Sequence, residues 1–132
     1  MNRTQTARSL LDSLPFHEAH GIEIVEVTED TATTRIPFSD DLVGNPDVPA
    51  IHGGVLAALV DLTGAALFVG NLGRYTPTID MRIDYLTHAG AETLVGTATR
   101  VREGESIGVA DIEIRAGDTV CAAGMGTYKL ST

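Results

Sequence analysis

One cysteine in 132 residues, Cys121, rules out an internal disulfide and leaves too little sulfur for a structural zinc site. A lone thiol fits a reducing cytosol. Cations are scarce as well: nine Lys and Arg stand against 18 Asp and Glu, a formal net charge of -9. Nucleic-acid binding leaves a basic footprint, so no nucleic-acid partner is expected. The same sign disfavours an anionic membrane surface. The opening MNRTQTARSLLDSLPF lacks the apolar run of a signal peptide. The most apolar stretch, 55–72, carries Asp61 near its middle and no basic flank, so it reads as a buried helix rather than a membrane span. These absences point to a cytoplasmic protein.

What is present suits one folded domain over 1–132, with 43% hydrophobic and 20% charged residues. Residues 4–14 read as a short amphipathic helix closed by Pro15, so an N-terminal helix is expected within 1–14. Alternation over 21–27 and 31–38 predicts a hairpin turning at Glu29-Asp30. Residues 39–51 hold Asn45-Pro46 and Pro49 and read as an irregular loop. A long helix is expected from His52 to Leu72, then strands at 76–86, 92–102, 107–115 and 119–130. Short Gly-containing connections suggest a four-strand meander. A helix apolar nearly all round must be buried on most sides, and an antiparallel sheet wrapped around it gives an α+β domain.

Asp61 is the most informative residue of the chain. At helical spacing its neighbours are Ala57, Ala58, Gly64 and Ala65, with Gly54 and Phe68 further along the stripe. The opposite stripe holds Leu56, Leu59, Thr63 and Leu67. Small residues admit a ligand or a second backbone, and a buried carboxylate among them is costly unless paired, hydrated or functional. A structural ion pair to an arginine is the plain alternative.

The preceding His52-Gly53-Gly54 marks the helix start, where free N–H groups and the dipole favour a developing negative charge. Glycines there let a substrate oxygen approach, which is the construction of an oxyanion site. A tight loop with His52 as cap is the plainer reading. Eight residues separate Gly53 from Asp61, about 12 Å along a helix. One carbonyl cannot reach both when a catalytic base must lie within about 3 Å or one water of its reactant. If both act, they come from different chains, which implies an isologous dimer with two such helices antiparallel on their small faces.

The run His52-Gly53-Gly54-Val55-Leu56-Ala57-Ala58-Leu59-Val60-Asp61 resembles the signature of hotdog-fold acyl-CoA thioesterases, in the phenylacetic-acid-degradation (PaaI-like) branch. Residues 78–86 and 123–128 resemble that family's strands, so the likeness spans roughly 15–130. It implies a hotdog fold, an obligate dimer or dimer of dimers, and hydrolysis of an acyl-CoA with no metal and no cofactor beyond the coenzyme A of the substrate. By the resemblance, Asp61 acts as general base or nucleophile, and the Gly53 N–H polarises the carbonyl. Thr78 holds the attacking water, and His52, with Gly54, positions the thioester end. Asn45 stands seven residues before His52, one further than in many relatives, and is the candidate second oxyanion donor.

Coenzyme A phosphates call for cations, which relatives place after the strand near Leu86 and in the next hairpin. This chain has Thr87-His88-Ala89 and Gly104-Glu105 there, leaving Arg82 and Arg102 as the phosphate candidates and Arg100 as solvated sheet edge. His17, His20 and His88 lack metal-ligand spacing and read as surface histidines. Cys121 reads as a small buried hydrophobe, and Met81, Tyr85 and Phe68 as core or acyl-pocket lining. Two other functions fit the same pattern less well. A non-catalytic acyl-thioester binder has no need of Asp61, and a hydroxyacyl dehydratase needs a histidine opposite the acid rather than at the helix start.

Overall fold

A computed structural model describes residues 1–132. The N-terminal segment forms two helices instead of one: α1 over Arg3–Leu11 and α2 over Pro15–His20. Asn2 and Gln5 cap α1 reciprocally, and the helix ends at Asp12. Pro15 opens α2 rather than only closing α1, because its missing N–H is unneeded at a first helical position.

The hairpin β1 (Glu23–Val27) and β2 (Thr31–Ile36) follows the alternation read from the sequence, with a bulge between Ile24 and Glu26. The extra residue lets Ile24 and Val27, three apart, face the same core. Residues 39–51 are more regular than the prolines suggest. A single 3-10 turn at Asp40–Leu42 leads into a small hairpin of β3 (Val43–Asn45) and β4 (Val48–Ile51). Pro46 falls in its turn and Pro49 on a two-stranded ribbon, where missing donors cost little.

Helix α3 (Gly53–Leu72) is capped by His52 and stopped at Gly73 in the left-handed conformation, φ 73°. Strands β5 (Thr78–Tyr85), β6 (Leu94–Glu103), β7 (Ile107–Ala116) and β8 (Thr119–Lys129) complete a six-stranded antiparallel sheet. Its order is β1-β2-β6-β7-β8-β5, so only β6, β7 and β8 form the expected meander. β5 instead crosses to pair with β8 at the far edge, and Ala89-Gly90 belongs to a crossover rather than a hairpin. Every strand of this sheet touches α3.

Wrapping so tightly requires small residues where strands cross the helix. A Cβ at Gly108 would overlap the Phe68 ring, and one at Gly96 would crowd the Thr34 and Thr63 hydroxyls. Those two threonines are buried and paired at 2.6 Å, while Thr63 donates back to the Leu59 carbonyl. Phe68 is fully buried among the core residues, not on the small-residue face where helical spacing had put it. The long apolar helix thus fills the interior of the sheet as expected, with Leu56, Leu59, Thr63 and Leu67 all buried.

Candidate active site

The N-terminus of α3 is built by its own His52. The imidazole Nδ1 accepts the Gly54 N–H at 2.8 Å, which fixes the neutral tautomer with its proton on Nε2. The Val55 N–H bonds the His52 carbonyl at 2.9 Å. Among the first donors of the helix, the Gly53 N–H is left without a partner in the protein, at the positive end of the helix dipole.

A cavity of about 890 Å³ opens at this point, between the β3–β4 hairpin and the segment that leaves β5. Gly53 and His52 form one wall, and Val48, Ile51, Leu56 and Leu86 give it an apolar lining. Tyr85 closes one side: its ring lies against Gly53 and its hydroxyl donates to the Gly53 carbonyl at 2.9 Å. Asn45 also faces the cavity. Its Oδ1 accepts the Asp47 N–H at 3.0 Å, and its amide NH2 makes no protein hydrogen bond.

Asp61 and Thr78 take no part in that cavity. They meet one another two turns along α3, where the Thr78 hydroxyl donates to Asp61 Oδ1 at 2.6 Å. One carboxylate oxygen is thereby held, and the other has no protein partner. Asp61 is half-buried rather than buried, because Ala57, Ala58 and Ala65 around it are open to solvent as well. No arginine pairs with it, which removes the structural ion-pair reading. Behind Asp61, the Tyr128 hydroxyl donates to its main-chain carbonyl at 2.9 Å. Burial, and after it the charge of Asp61, push the Tyr128 phenol far above its ordinary range, so the hydroxyl stays a neutral donor.

The arginines are dispersed. Arg100 is an ion pair with Asp30 at 2.5 Å, not a solvated edge. Arg82 lies on edge strand β5, separated from β6 by β7 and β8, and faces Asp84 at 3.6 Å. Arg102 is exposed on β6 with no carboxylate partner. His17 and His20 bond main-chain carbonyls of Leu11 and Phe16, and no group of potential metal ligands gathers anywhere. Cys121 is buried.

The structure therefore sorts the expected residues into two groups. Gly53, His52 and Asn45 line the cavity, Gly54 does not and serves the His52 cap, and Asp61 with Thr78 stands on an open helix face. Sequence reasoning gave Tyr128 no role at the site and offered Tyr85 only as core or pocket lining. For both, the only signal in the sequence is a tyrosine on a strand facing glycines of α3, a pairing visible only after the strands are placed.

Comparison with known proteins adds a common theme. The family model described as Thioesterase superfamily matches residues 49–123. The chain is 28% identical over 116 residues to the medium/long-chain acyl-CoA thioesterase YigI of Escherichia coli K12, covering 76% of this chain and 75% of the relative. Among solved structures, a Shewanella oneidensis protein related to the thioesterase superfamily superposes with a TM-score of 0.84. It is 29% identical, over 97% of this chain and 95% of that one. The E. coli PaaI protein from the phenylacetic acid degradation operon superposes with a TM-score of 0.87, at 26% identity, over 96% and 91%.

Proposed function

The chain belongs to the thioesterase superfamily, and on that premise we propose that it hydrolyses acyl-CoA thioesters at a site shared between two copies. It is a hotdog-fold thioester hydrolase of the PaaI-like kind. The observation that carries the shared site is the split just described. The free Gly53 N–H opens on an acyl-sized cavity that lacks Asp61, and Asp61 lies on an open face of the same helix.

A second copy joins these halves. β5 is a free sheet edge, with Thr78, Ile79, Asp80 and Arg82 exposed along it. Unpaired edges of this length invite another strand. Beside it runs the small-residue face of α3. A two-fold axis through this region lays α3 antiparallel on its copy and brings Asp61 of the partner subunit to the Gly53 cavity.

In the reaction we propose, the thioester carbonyl accepts a hydrogen bond from the Gly53 N–H, with the Asn45 amide as second donor. The free carboxylate oxygen of Asp61 takes a proton from water as that water's oxygen attacks the carbonyl carbon. Thr78 keeps the other carboxylate oxygen engaged, so the base is presented in one orientation. Collapse of the tetrahedral intermediate breaks the C–S bond, and the coenzyme A thiolate leaves and takes up a proton. A thiolate is a good leaving group, so a carboxylate base and one or two preorganised donors suffice without metal or organic cofactor. The cavity lining of Val48, Ala50, Ile51, Leu56, Leu86 and Ala89 suits an aliphatic acyl chain, in keeping with the medium- and long-chain activity named for the E. coli relative. Arg102, free of any carboxylate, is the candidate for a coenzyme A phosphate, whereas Arg82 is shared with Asp84.

The test is free-thiol release from a panel of acyl-CoAs, short to long and aromatic, with Asp61→Asn alongside. Loss of a general base should lower turnover by about two orders of magnitude or more while the dimer persists. A single turnover in heavy-oxygen water separates the two chemistries: label confined to the released acid supports the base, and label in Asp61 the nucleophile. Thiol release unaffected by Asp61→Asn would refute the mechanism.

A further inference from the structure

Tyr128 lies fully buried beneath Asp61, the helical residue to which the role of base is assigned. Its phenol sits between Gly64 of α3 and Gly126 of its own strand, and a Cβ at either glycine would run into the hydroxyl. The ring packs on Phe68 with centroids 5.6 Å apart. So enclosed, the hydroxyl has one hydrogen-bond partner, the carbonyl of Asp61 at 2.9 Å.

That carbonyl lies in mid-helix, where the N–H four residues on already serves it. The Tyr128 bond is additional to the helix's own needs, and two glycines are kept to admit it. The same strand position also reaches the carboxylate. In the β5–β8 ladder Tyr128 is paired with Thr78, whose hydroxyl holds Asp61 Oδ1. Adjacent residues of two strands therefore grip a single helical residue, one by its main chain and one by its side chain. A bulge at Ile79 follows directly, so Thr78 has a register of its own, set against Tyr128.

We propose that Tyr128 is a positioning residue for hydrolysis: its bond to the Asp61 carbonyl fixes the height of α3 over the β5–β8 ladder and so the approach of Thr78 to the carboxylate. The proposal rests on Asp61 being the base. Tyr128 touches neither substrate nor water, and its influence runs through the Asp61–Thr78 bond. A displacement of about 1 Å at a reacting group is enough to cost up to a hundredfold in rate.

The experiment is a double-mutant cycle on the dimeric enzyme, with Tyr128→Phe, Thr78→Val and the pair, read as kcat and KM for the best acyl-CoA. Asp61→Asn is assayed beside it. Tyr128→Phe keeps the ring and is expected to lower kcat about tenfold with KM little changed. The pair should be no slower than Thr78→Val alone, because both act through one contact. Gly64→Ala, which displaces the hydroxyl but keeps it in the protein, should lower kcat similarly and serves if Tyr128→Phe does not fold. A purely structural hydroxyl would lower the melting temperature and leave kcat intact. That result, or independent multiplication of the two single effects, overturns the proposal while Asp61→Asn still upholds the hydrolytic reading. Full activity in Asp61→Asn would overturn both.

Discussion

Gly53 and Gly54 are small for different reasons. At Gly54 a Cβ would come within 2.9 Å of His52 Nδ1, so the residue is glycine to let the imidazole fold over the helix start. At Gly53 the nearest atoms belong to the Tyr85 ring, at 3.3 Å, so that residue is glycine to let an edge-strand side chain and the cavity come close. The His-Gly-Gly run is thus a cap and an opening, side by side. Gly54→Ala should push the imidazole off its N–H and cost about 1 kcal/mol, the usual worth of a lost N-cap, lowering the melting temperature. A melting temperature equal to that of the wild type would show that the imidazole has another place to sit.

Among the elements, β5 is the least committed. It pairs only with β8, and Ile79 and Tyr85 remain more than half exposed. The crossover from β5 to β6 carries it to the sheet edge, where it can join a copy of itself. A charge placed there should disrupt association without disturbing the protomer, since Ile79 contributes little to the core. Ile79→Glu is expected to be monomeric by light scattering, with an unchanged circular dichroism spectrum and little turnover. A fully active monomer would contradict the shared site. The β3–β4 hairpin has a complementary role, since it holds Asn45 and Val48 over the cavity. The prolines around it mask a ribbon that tolerates them.

For the molecule as a whole, buried Tyr128 makes stability depend on pH in the alkaline range. Folding raises the Tyr128 phenol above its unfolded value of about 10, chiefly by desolvation and then by the Asp61 charge. The neutral phenol is therefore favoured by the fold. Its contribution is complete below that value and is lost as the pH rises beyond it, by up to about 1.4 kcal/mol per pH unit for one proton. The melting temperature of the wild type should fall more steeply than that of Tyr128→Phe in alkaline buffer, and parallel curves would place the phenol in contact with water.

The main run of elements, the apolar central helix and the candidates Asp61 and Gly53 were legible in the amino-acid sequence, because each rests on local spacing, whereas Thr78 entered only through the family resemblance. Alternation exposes strands, helical periodicity isolates a carboxylate among alanines, and glycines after a histidine mark a helix start. The distance between Gly53 and Asp61 also follows from helical rise alone, and with it the proposal of a site shared between two copies. Tertiary structure decided what depends on pairing between distant segments. It put β5 at the sheet edge instead of in a meander, buried Phe68, spent Arg100 on Asp30, and left Asp61 half-open on its own protomer. It also set Tyr128 beneath Asp61 and Tyr85 beside Gly53, partners 67 and 32 residues apart in the chain. Local pattern carries no information on such contacts, because they are selected by how closely glycine-lined strands can wrap one helix.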